Sequence, residues 1–125
     1  MKTYDFAYGH GRKTFDYDEN LVIKEVRTEE FPVMEDVKAG VLDAIYHPIG
    51  CKPINEIVKP GDTVAFICND PTRVANSFDF MPVLVDEMNK LGVKDEDMHI
   101  LFSLGTHRDM THEEMVEAVG ENVAS

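Results

Sequence analysis

An apolar run bounded by turn residues on both sides constrains this chain more than any other feature of its sequence. The run Thr63-Val64-Ala65-Phe66-Ile67-Cys68 follows the turn sequence Lys59-Pro60-Gly61-Asp62 and precedes Asn69-Asp70-Pro71. Nearly continuous apolar strands are typical of parallel sheets that are covered on both faces. We therefore predict a buried strand at 63–68 and a fold of the α/β class.

The segments after this run alternate between helix and strand. A helix is predicted to begin between Ser77 and Pro82, since proline is tolerated in a first turn, and to end at Gly92. Its predicted buried stripe consists of Leu84, Met88 and Leu91. A strand at 98–104 follows, and a capping box formed by Thr111 and Glu114 starts the last helix, which reaches Val119. This order predicts a Rossmann-like parallel βαβα core with right-handed crossovers.

The N-terminal part of the chain carries a different pattern. Aromatic residues alternate with polar or small ones on both sides of Gly9-His10-Gly11, which predicts a short β-hairpin. The alternating residues are Tyr4, Phe6, Tyr8, Phe15 and Tyr17. We also predict a short strand beginning at Leu21-Val22-Ile23, a helix over 35–46 and a helical turn over 54–58.

The charge balance excludes two classes of partner. The chain has 125 residues, which is the size of one domain, and its 12 basic and 24 acidic residues give a net charge of −12. A nucleic-acid-binding surface needs clustered Lys and Arg, and so does docking on an anionic membrane. We therefore expect neither nucleic acid nor a membrane as a partner.

The cysteines and histidines indicate neither a disulfide framework nor a self-contained metal site. Cys51 and Cys68 lack the spacing of a zinc or redox site, and so do His99, His107 and His112. Residues 1–20 contain no signal-peptide pattern, and the sequence has no apolar stretch long enough for a membrane span. A cytoplasmic location is the expectation.

Polar segments directly follow the two predicted strands. Asn69-Asp70-Pro71-Thr72-Arg73 comes after the strand at 63–68, and Gly105-Thr106-His107-Arg108 comes after the strand at 98–104. Ligands of open parallel sheets bind beyond the carboxyl ends of the strands. If the strands are neighbours, five side chains converge on one rim of the sheet: Asp70, Thr72, Arg73, His107 and Arg108.

These residue types suit a small anionic ligand. An arginine presents a planar fork to a carboxylate or phosphate, and a nearby helix N-terminus adds partial positive charge. Asp70 is suited to accept hydrogen bonds from sugar hydroxyls, Thr72 to donate to a phosphate, and His107 to move protons near neutral pH. A structural interpretation stays open beside this one. In it Asp70-Pro71-Thr72 is only a turn, Arg73 pairs with a surface carboxylate, and His107 is solvated.

An ordered set of motifs resembles the N-terminal domain of the nickel-dependent lactate racemase (LarA) family. The set runs from Tyr8-Gly9 through Pro48-Ile49-Gly50 and Val58-Lys59-Pro60-Gly61-Asp62 to the two polar segments, the second extended as Leu104-Gly105-Thr106-His107-Arg108-Asp109-Met110-Thr111. The resemblance covers essentially the whole chain, and its most specific feature is the D-x-T-R turn followed by G-T-H-R one βαβ unit later.

The resemblance implies a racemase or epimerase, an isomerase that acts on a small 2-hydroxy acid. Its cofactor is a nickel-pincer nucleotide, which accepts a hydride from the substrate carbon and returns it to either face. By the resemblance, His107 matches one of two catalytic histidines that act as bases on the substrate hydroxyl. Asp70, Thr72 and Arg73 match the turn that contacts the cofactor, and Arg73 also reaches the substrate anion.

The rest of that machinery lies farther along the family's chain. It comprises the second catalytic histidine, the lysine that anchors the cofactor and the histidine that ligates nickel. We therefore expect 1–125 to be an incomplete N-terminal domain, cut near Ser125, that partners with the missing C-terminal portion and is inactive alone. The alternative is a stand-alone module that binds a nucleotide or small anion without catalysis. An acidic interaction domain ranks below both.

Overall fold

Two units make up the chain in the computed structural model, which describes residues 1–73 and 75–124. The first unit covers Met1–Val33 and the second covers Met34–Ser125. The expected cut near Ser125 falls at a residue outside the described ones. No helix within the described ranges is long and apolar enough to cross a membrane.

The first unit is built on the predicted hairpin. Strands β1 (Lys2–Tyr8) and β2 (Gly11–Tyr17) pair antiparallel, with Tyr4 opposite Phe15. Gly9 takes a positive φ of 57° in the two-residue turn, a backbone conformation that costs glycine little. The rings of Tyr4, Phe15 and Tyr17 lie 5.7–6.1 Å apart between centroids. The hairpin prediction is therefore confirmed.

The strand predicted to begin at Leu21-Val22-Ile23 is wrong. Glu19–Leu21 forms a 3-10 turn instead, because the Asp18 side chain accepts a hydrogen bond from the backbone N–H of Asn20 at 3.0 Å. Such local side-chain capping competes with extended pairing. Ile23 then lies fully exposed in a segment without strand partners among the described residues.

The second unit holds the parallel pair and the helices. Strands β3 (Val64–Asn69) and β4 (Met98–Ser103) are parallel and in register from Val64 opposite Met98 to Asn69 opposite Ser103. The helices of this unit are α1 (Val37–Tyr46), α2 (Ile54–Ile57), α3 (Ser77–Lys90), α4 (His112–Val119) and α5 (Glu121–Ala124). A second 3-10 turn, Asp95–Asp97, leads into β4. The predicted order of strand, helix, strand and helix is confirmed, as a mixed α/β unit with two parallel strands.

The core of this unit lies on one face of the sheet. Cys68 of β3, Met81 of α3 and Val119 of α4 are buried against one another. Half-buried side chains complete the core: Phe66, Phe80, Leu84, Ile100, Phe102, Ala118, Val123 and Ala124. Helices α3, α4 and α5 thus cover the same face of β3 and β4.

The opposite face of the sheet is bare, which corrects the prediction that the first strand is covered on both faces. Ile67 is 75% exposed, and its neighbour across the parallel pair, Leu101, is 54% exposed. Successive side chains of a strand point to opposite faces. The row that contains Phe66 and Cys68 is therefore packed on helices, while the row that contains Ile67 is not.

The ends of α3 follow from its sequence, with one difference from the prediction. Gly92 takes φ +93°, and the backbone N–H of Val93 donates to the carbonyl of Met88 at 3.0 Å, which closes the helix as predicted. Pro82, however, lies beyond the first turn of α3. Because proline has no N–H, the carbonyl of Phe78 receives no helical hydrogen bond from it.

A buried carboxylate connects α1 to α3. Glu87 is 5% exposed and accepts hydrogen bonds from the Tyr46 hydroxyl at 2.5 Å and from Lys90 Nζ at 2.7 Å. These bonds hold the pKa of Glu87 below its usual range, Lys90 more than Tyr46. The carboxylate therefore stays ionised at neutral pH and fixes the end of α1 against α3.

Replacing the most buried side chain of α3 should destabilise the second unit. Met81 is 2% exposed, so Met81→Ala leaves a cavity, and we expect the free energy of unfolding to fall by about 2–5 kcal/mol. Urea denaturation followed by circular dichroism measures this loss. Ile49→Ala is the control, because Ile49 is fully exposed and its truncation should change stability by less than about 0.5 kcal/mol. Equal losses in the free energy of unfolding for Met81→Ala and Ile49→Ala would show that Met81 is not part of the core.

The bare face should make the isolated chain self-associate. Ile67 and Leu101 are neighbouring aliphatic side chains in water, and contiguous exposed apolar surface favours association. The double variant Ile67→Thr with Leu101→Thr should shift the molecular mass measured by light scattering toward the monomer. A wild-type chain that stays monomeric at high concentration would contradict this prediction.

Candidate acid/base site

The two parallel strands end side by side and deliver their polar loops to one edge of the sheet. Asn69 and Ser103 are paired across β3 and β4. Asp70 follows the first strand directly, and the loop 104–111 follows the second. The common edge predicted from the sequence is therefore formed.

Asp70 begins a tight turn whose hydrogen bonds it supplies itself. Its Oδ1 accepts from the backbone N–H of Thr72 at 3.0 Å and from the Thr72 hydroxyl at 2.7 Å. Its backbone carbonyl accepts from the N–H of Arg73 at 3.1 Å. Asp70 is only 5% exposed, so these bonds replace the water that burial removes. The turn interpretation thus describes this geometry correctly.

The second carboxylate oxygen of Asp70 reaches across to the other loop. Asp70 Oδ2 is hydrogen-bonded to Nδ1 of His107, which lies 37 residues later in the sequence. A carboxylate can only accept, so Nδ1 carries the hydrogen and a neutral His107 keeps its lone pair on Nε2. The His107 side chain is 50% exposed, against 4% for that of Asp70. A buried acid thus orients a histidine that solvent and solutes can reach.

The loop itself helps to aim His107. The backbone N–H of His107 donates to the carbonyl of Leu104 at 3.0 Å, which closes a turn directly after β4. Gly105 takes φ +60° inside that turn, which other residues adopt only with strain. Gly105 therefore serves the bend that brings the imidazole back over the end of β3.

The hydrogen bonds around Asp70 shift its acidity. The hydroxyl of Thr72 contributes most and His107 next, and together they lower the pKa of Asp70 from 3.8 to about 2. Asp70 is therefore ionised throughout the neutral range. Asp70 therefore accepts the hydrogen bond from His107 as a carboxylate and carries no proton itself.

Thr72 and Arg73 differ in what they still offer to a ligand. The hydrogen of the Thr72 hydroxyl is engaged with Asp70, so in this structure it does not face a phosphate as predicted. The Arg73 guanidinium is exposed and has no hydrogen-bond or ion-pair partner among residues 1–73 and 75–124. Arg73 is thus the cation at this edge that is open to a carboxylate or phosphate.

Arg108 does not join the rim, which corrects its predicted place there. Its guanidinium turns to α4, where Nη1 and Nη2 donate to the two carboxylate oxygens of Glu114 at 2.9 and 2.6 Å. The physical reason is that the planar guanidinium forms two parallel hydrogen bonds with a carboxylate, and the carboxylate of Glu114 lies within its reach. The capping box had marked Glu114 only as a helix start. Its spacing of six residues from Arg108 is the signal that the sequence analysis missed.

The other three histidines of the second unit lie on other elements. His99 is on β4, His112 begins α4, and His47 at the end of α1 contacts Asp43 at 2.9 Å. Across the described ranges, no three His, Cys, Asp or Glu side chains are close enough to hold a metal ion. What the structure brings together is an acid, a histidine and a free arginine.

The fold and this edge define an α/β domain with an Asp–His pair beyond two parallel strands. The family model for the lactate racemase N-terminal domain matches residues 8–125. The chain therefore belongs to the lactate racemase N-terminal domain family, in agreement with the resemblance seen in the sequence.

Individual relatives agree with this assignment. The chain is 27% identical to the lactate racemase of Thermoanaerobacterium thermosaccharolyticum over 98% of its own length, and 30% identical to that of Lactiplantibacillus plantarum over 63%. It covers 29% and 18% of those two proteins. The structure of the lactate racemase apoprotein from T. thermosaccharolyticum matches 98% of the chain with a TM-score of 0.69 and 26% identity. That match covers 28% of the solved chain, so this chain spans less than a third of its relatives.

The lowered pKa of Asp70 predicts an acid-sensitive contribution to stability. Because the pKa falls from 3.8 to about 2 on folding, ionised Asp70 stabilises the fold above pH ~4. That contribution is lost as the pH falls through this window. We expect wild type to be more stable than Asp70→Asn near pH 6, and the difference to shrink steadily between pH 4 and pH 2.

Urea denaturation at each pH measures this difference. The control is Asp86→Asn, because Asp86 is exposed on α3 and its carboxylate accepts no hydrogen bond from the described part of the chain. Its stability difference from wild type should stay nearly constant over the same range. If the stability difference between wild type and Asp70→Asn also stayed constant from pH 6 to pH 2, ionised Asp70 would not stabilise the fold.

Proposed function

We propose that this chain is the N-terminal domain of an isomerase that racemises or epimerises a 2-hydroxy acid, with His107 as one acid/base group. The observation that carries the proposal is the Asp70–His107 pair at the edge of β3 and β4. The family membership and the two curated relatives named lactate racemase support the reaction class. The substrate proposed is therefore a small 2-hydroxy acid.

The pair suits proton transfer at a hydroxyl group. With Nδ1 held by Asp70, Nε2 of His107 is the nitrogen that takes a proton from the hydroxyl and later returns it. Asp70 is a positioning group here. It fixes the tautomer and stabilises the imidazolium that forms. The half-exposed side chain of His107 leaves room for a substrate to approach.

Arg73 supplies the charge that such a substrate needs. A 2-hydroxy acid is an anion at neutral pH, and the free guanidinium presents two parallel donors to a carboxylate. Arg73 follows Asp70 in one turn, so its backbone is fixed relative to the pair. We propose that Arg73 binds the substrate anion and that the turn Asp70, Thr72 and Arg73 lies against the cofactor.

The nickel-pincer nucleotide is the cofactor proposed for the longer enzyme. The residues at this edge fit the nucleotide part, because the exposed Arg73 has no partner among the described residues and can pair with a phosphate. They offer no nickel ligand set, and we place that part of the site on other residues of the enzyme. The chemistry supplied by the bound cofactor is acceptance of a hydride from the substrate carbon and its return to either face.

Several parts of the proposed enzyme lie beyond these residues. They are a second catalytic histidine, the lysine that anchors the cofactor and the nickel-ligating histidine, all carried by a C-terminal portion that would be this chain's partner. We further propose that β3 and β4 belong to a Rossmann-like sheet and that the enzyme is cytoplasmic. Residues 1–125 alone are then expected to lack racemase activity.

The test is a racemisation assay on the longer enzyme, co-expressed with the proteins that make the nickel cofactor. Enantiopure 2-hydroxy acids, lactate among them, are incubated with the enzyme, and loss of optical purity is followed by chiral chromatography. We expect His107→Ala to lower the rate at least about 100-fold, because a positioned acid/base group contributes a factor of this order.

His47→Ala is the matched control, because His47 is also an exposed histidine beside an aspartate but lies at the end of α1. Its rate should equal that of wild type. Racemisation that survives His107→Ala would remove His107 from the mechanism. Bound cofactor without turnover of any hydroxy acid would favour the alternative of a non-catalytic binding module.

A further inference from the structure

Glu114 accepts three hydrogen bonds from the loop that carries His107. Its carboxylate accepts two hydrogen bonds from the Arg108 guanidinium and a third, at 2.9 Å, from the backbone N–H of Thr111. Arg108 Nη1 also donates to the carbonyl of Asp109 at 2.8 Å. One side chain of α4 thus binds both the Arg108 side chain and the backbone of Thr111.

The Arg108–Glu114 ion pair contributes little to the free energy of unfolding. The Arg108 side chain is 70% exposed, and exposed ion pairs contribute about 0–1 kcal/mol. The helix start already has its cap in the Thr111 side chain, which accepts from the N–H of Glu114 at 3.3 Å. A bidentate fork adds fixed geometry more than energy. The geometry it fixes is that of the residue next to His107.

The loop is anchored on both sides of His107. On one side the turn to Leu104 fixes its N–H, and on the other Arg108 is clamped to Glu114. Met110, two residues further, is buried at 7% exposure. The imidazole meets Asp70 only if the peptide between 107 and 108 keeps its orientation. Releasing the clamp removes the contact made by the residue next to His107, so that the nearest anchor left on that side is Met110.

We propose that the Arg108–Glu114 clamp is a positioning device that keeps His107 Nδ1 on Asp70 and thereby fixes which ring nitrogen is free to act. The value of this device rests on the proposed function, in which His107 moves a proton. The proposal itself concerns the tautomer and orientation of one imidazole. It can therefore be tested on this chain without substrate or cofactor.

The experiment is nuclear magnetic resonance of the 125-residue chain labelled with 15N in its histidines. Long-range correlations between the ring nitrogens and ring protons report which nitrogen carries the hydrogen. Two variants open the clamp with minimal change. Arg108→Lys keeps the charge but loses the fork, and Glu114→Gln keeps the size and an oxygen for the helix cap.

Two controls separate the clamp from other effects. Glu117→Gln makes the same charge change on an exposed position of α4 that has no hydrogen-bond partner among the described residues. Thr111→Ala removes the hydroxyl cap and leaves the clamp in place. Both should give His107 ring resonances like those of wild type.

In wild type we expect the neutral imidazole of His107 to be held in the Nδ1–H form. In Arg108→Lys and Glu114→Gln, both ring nitrogen resonances should move toward the position of a freely exchanging imidazole. Unchanged resonances in both variants, with helix content preserved by circular dichroism, would overturn the proposal. A shift in Thr111→Ala equal to theirs would also overturn it, because the helix cap and not the clamp would then be responsible.

Kinetics of the longer enzyme distinguish this proposal from the function on which it rests. If both hold, Arg108→Lys lowers kcat by about 10- to 100-fold with KM little changed, as expected for a misplaced catalytic group. A rise in KM with kcat and ring resonances unchanged would make Arg108 an anion ligand instead and sink the clamp. If the clamp variants shift the His107 ring resonances but His107→Ala does not lower the rate of racemisation, the proposed function is refuted and the clamp is retained.

Discussion

The hydrogen bond between Asp70 and His107 joins two loops that no other side-chain hydrogen bond of the described residues connects. It depends on the parallel register of β3 and β4, since Asn69 and Ser103 must end side by side for the loops to meet. It also requires that the carboxylate remain charged although it is buried. The double contact from Thr72 provides for that, because it supplies hydrogen bonds that water would otherwise give. The turn and the orientation of His107 therefore depend on one residue, because Asp70 is the centre of the turn and also holds the imidazole.

Asp70 makes the contacts of a structural turn and, in addition, a contact to His107 that a turn does not require. An aspartate that only closes a turn needs one carboxylate oxygen, and Asp70 uses Oδ1 for Thr72 and Oδ2 for His107. The two side chains also differ in exposure, since that of Asp70 is buried and that of His107 is half-exposed. Such a division is what proton transfer demands, because the orienting group must be rigid and the reacting nitrogen must be accessible. The proposed role of Asp70 is accordingly that of support for His107, while Arg73 offers the open contact to an anion.

The elements predicted well are those whose signals are local. Gly92 closes α3, and Thr111 with Glu114 caps α4, because a positive φ or a side-chain cap needs only a few neighbouring residues. The strands were also visible as short apolar runs, and their shared edge follows from the βαβ order. Three features were beyond this kind of reasoning. The segment at Leu21 has an apolar run but no partner strand. The exposure of the sheet face at Ile67 depends on what packs against it, and Arg108 pairs with one of many carboxylates in the sequence. The bare face is decided by tertiary packing, which the periodicity of a sequence does not encode. The other two are local side-chain contacts, from Asp18 to the backbone of Asn20 and from Arg108 to Glu114, which periodicity does not report either.

The bare face and the open site are two consequences of the same architecture. All helices in contact with the core lie on one side of β3 and β4, so the other side presents Ile67 and Leu101 to water. At the end of those strands, Arg73 and the imidazole of His107 are exposed as well. Proton and hydride transfer are favoured where water is excluded, since electrostatic interactions are then stronger and side reactions fewer. The described residues orient the imidazole of His107 but do not enclose it or Arg73. Under the proposed function, enclosure would therefore fall to a further portion of the enzyme, in keeping with a chain that spans 29% and 18% of its two curated relatives.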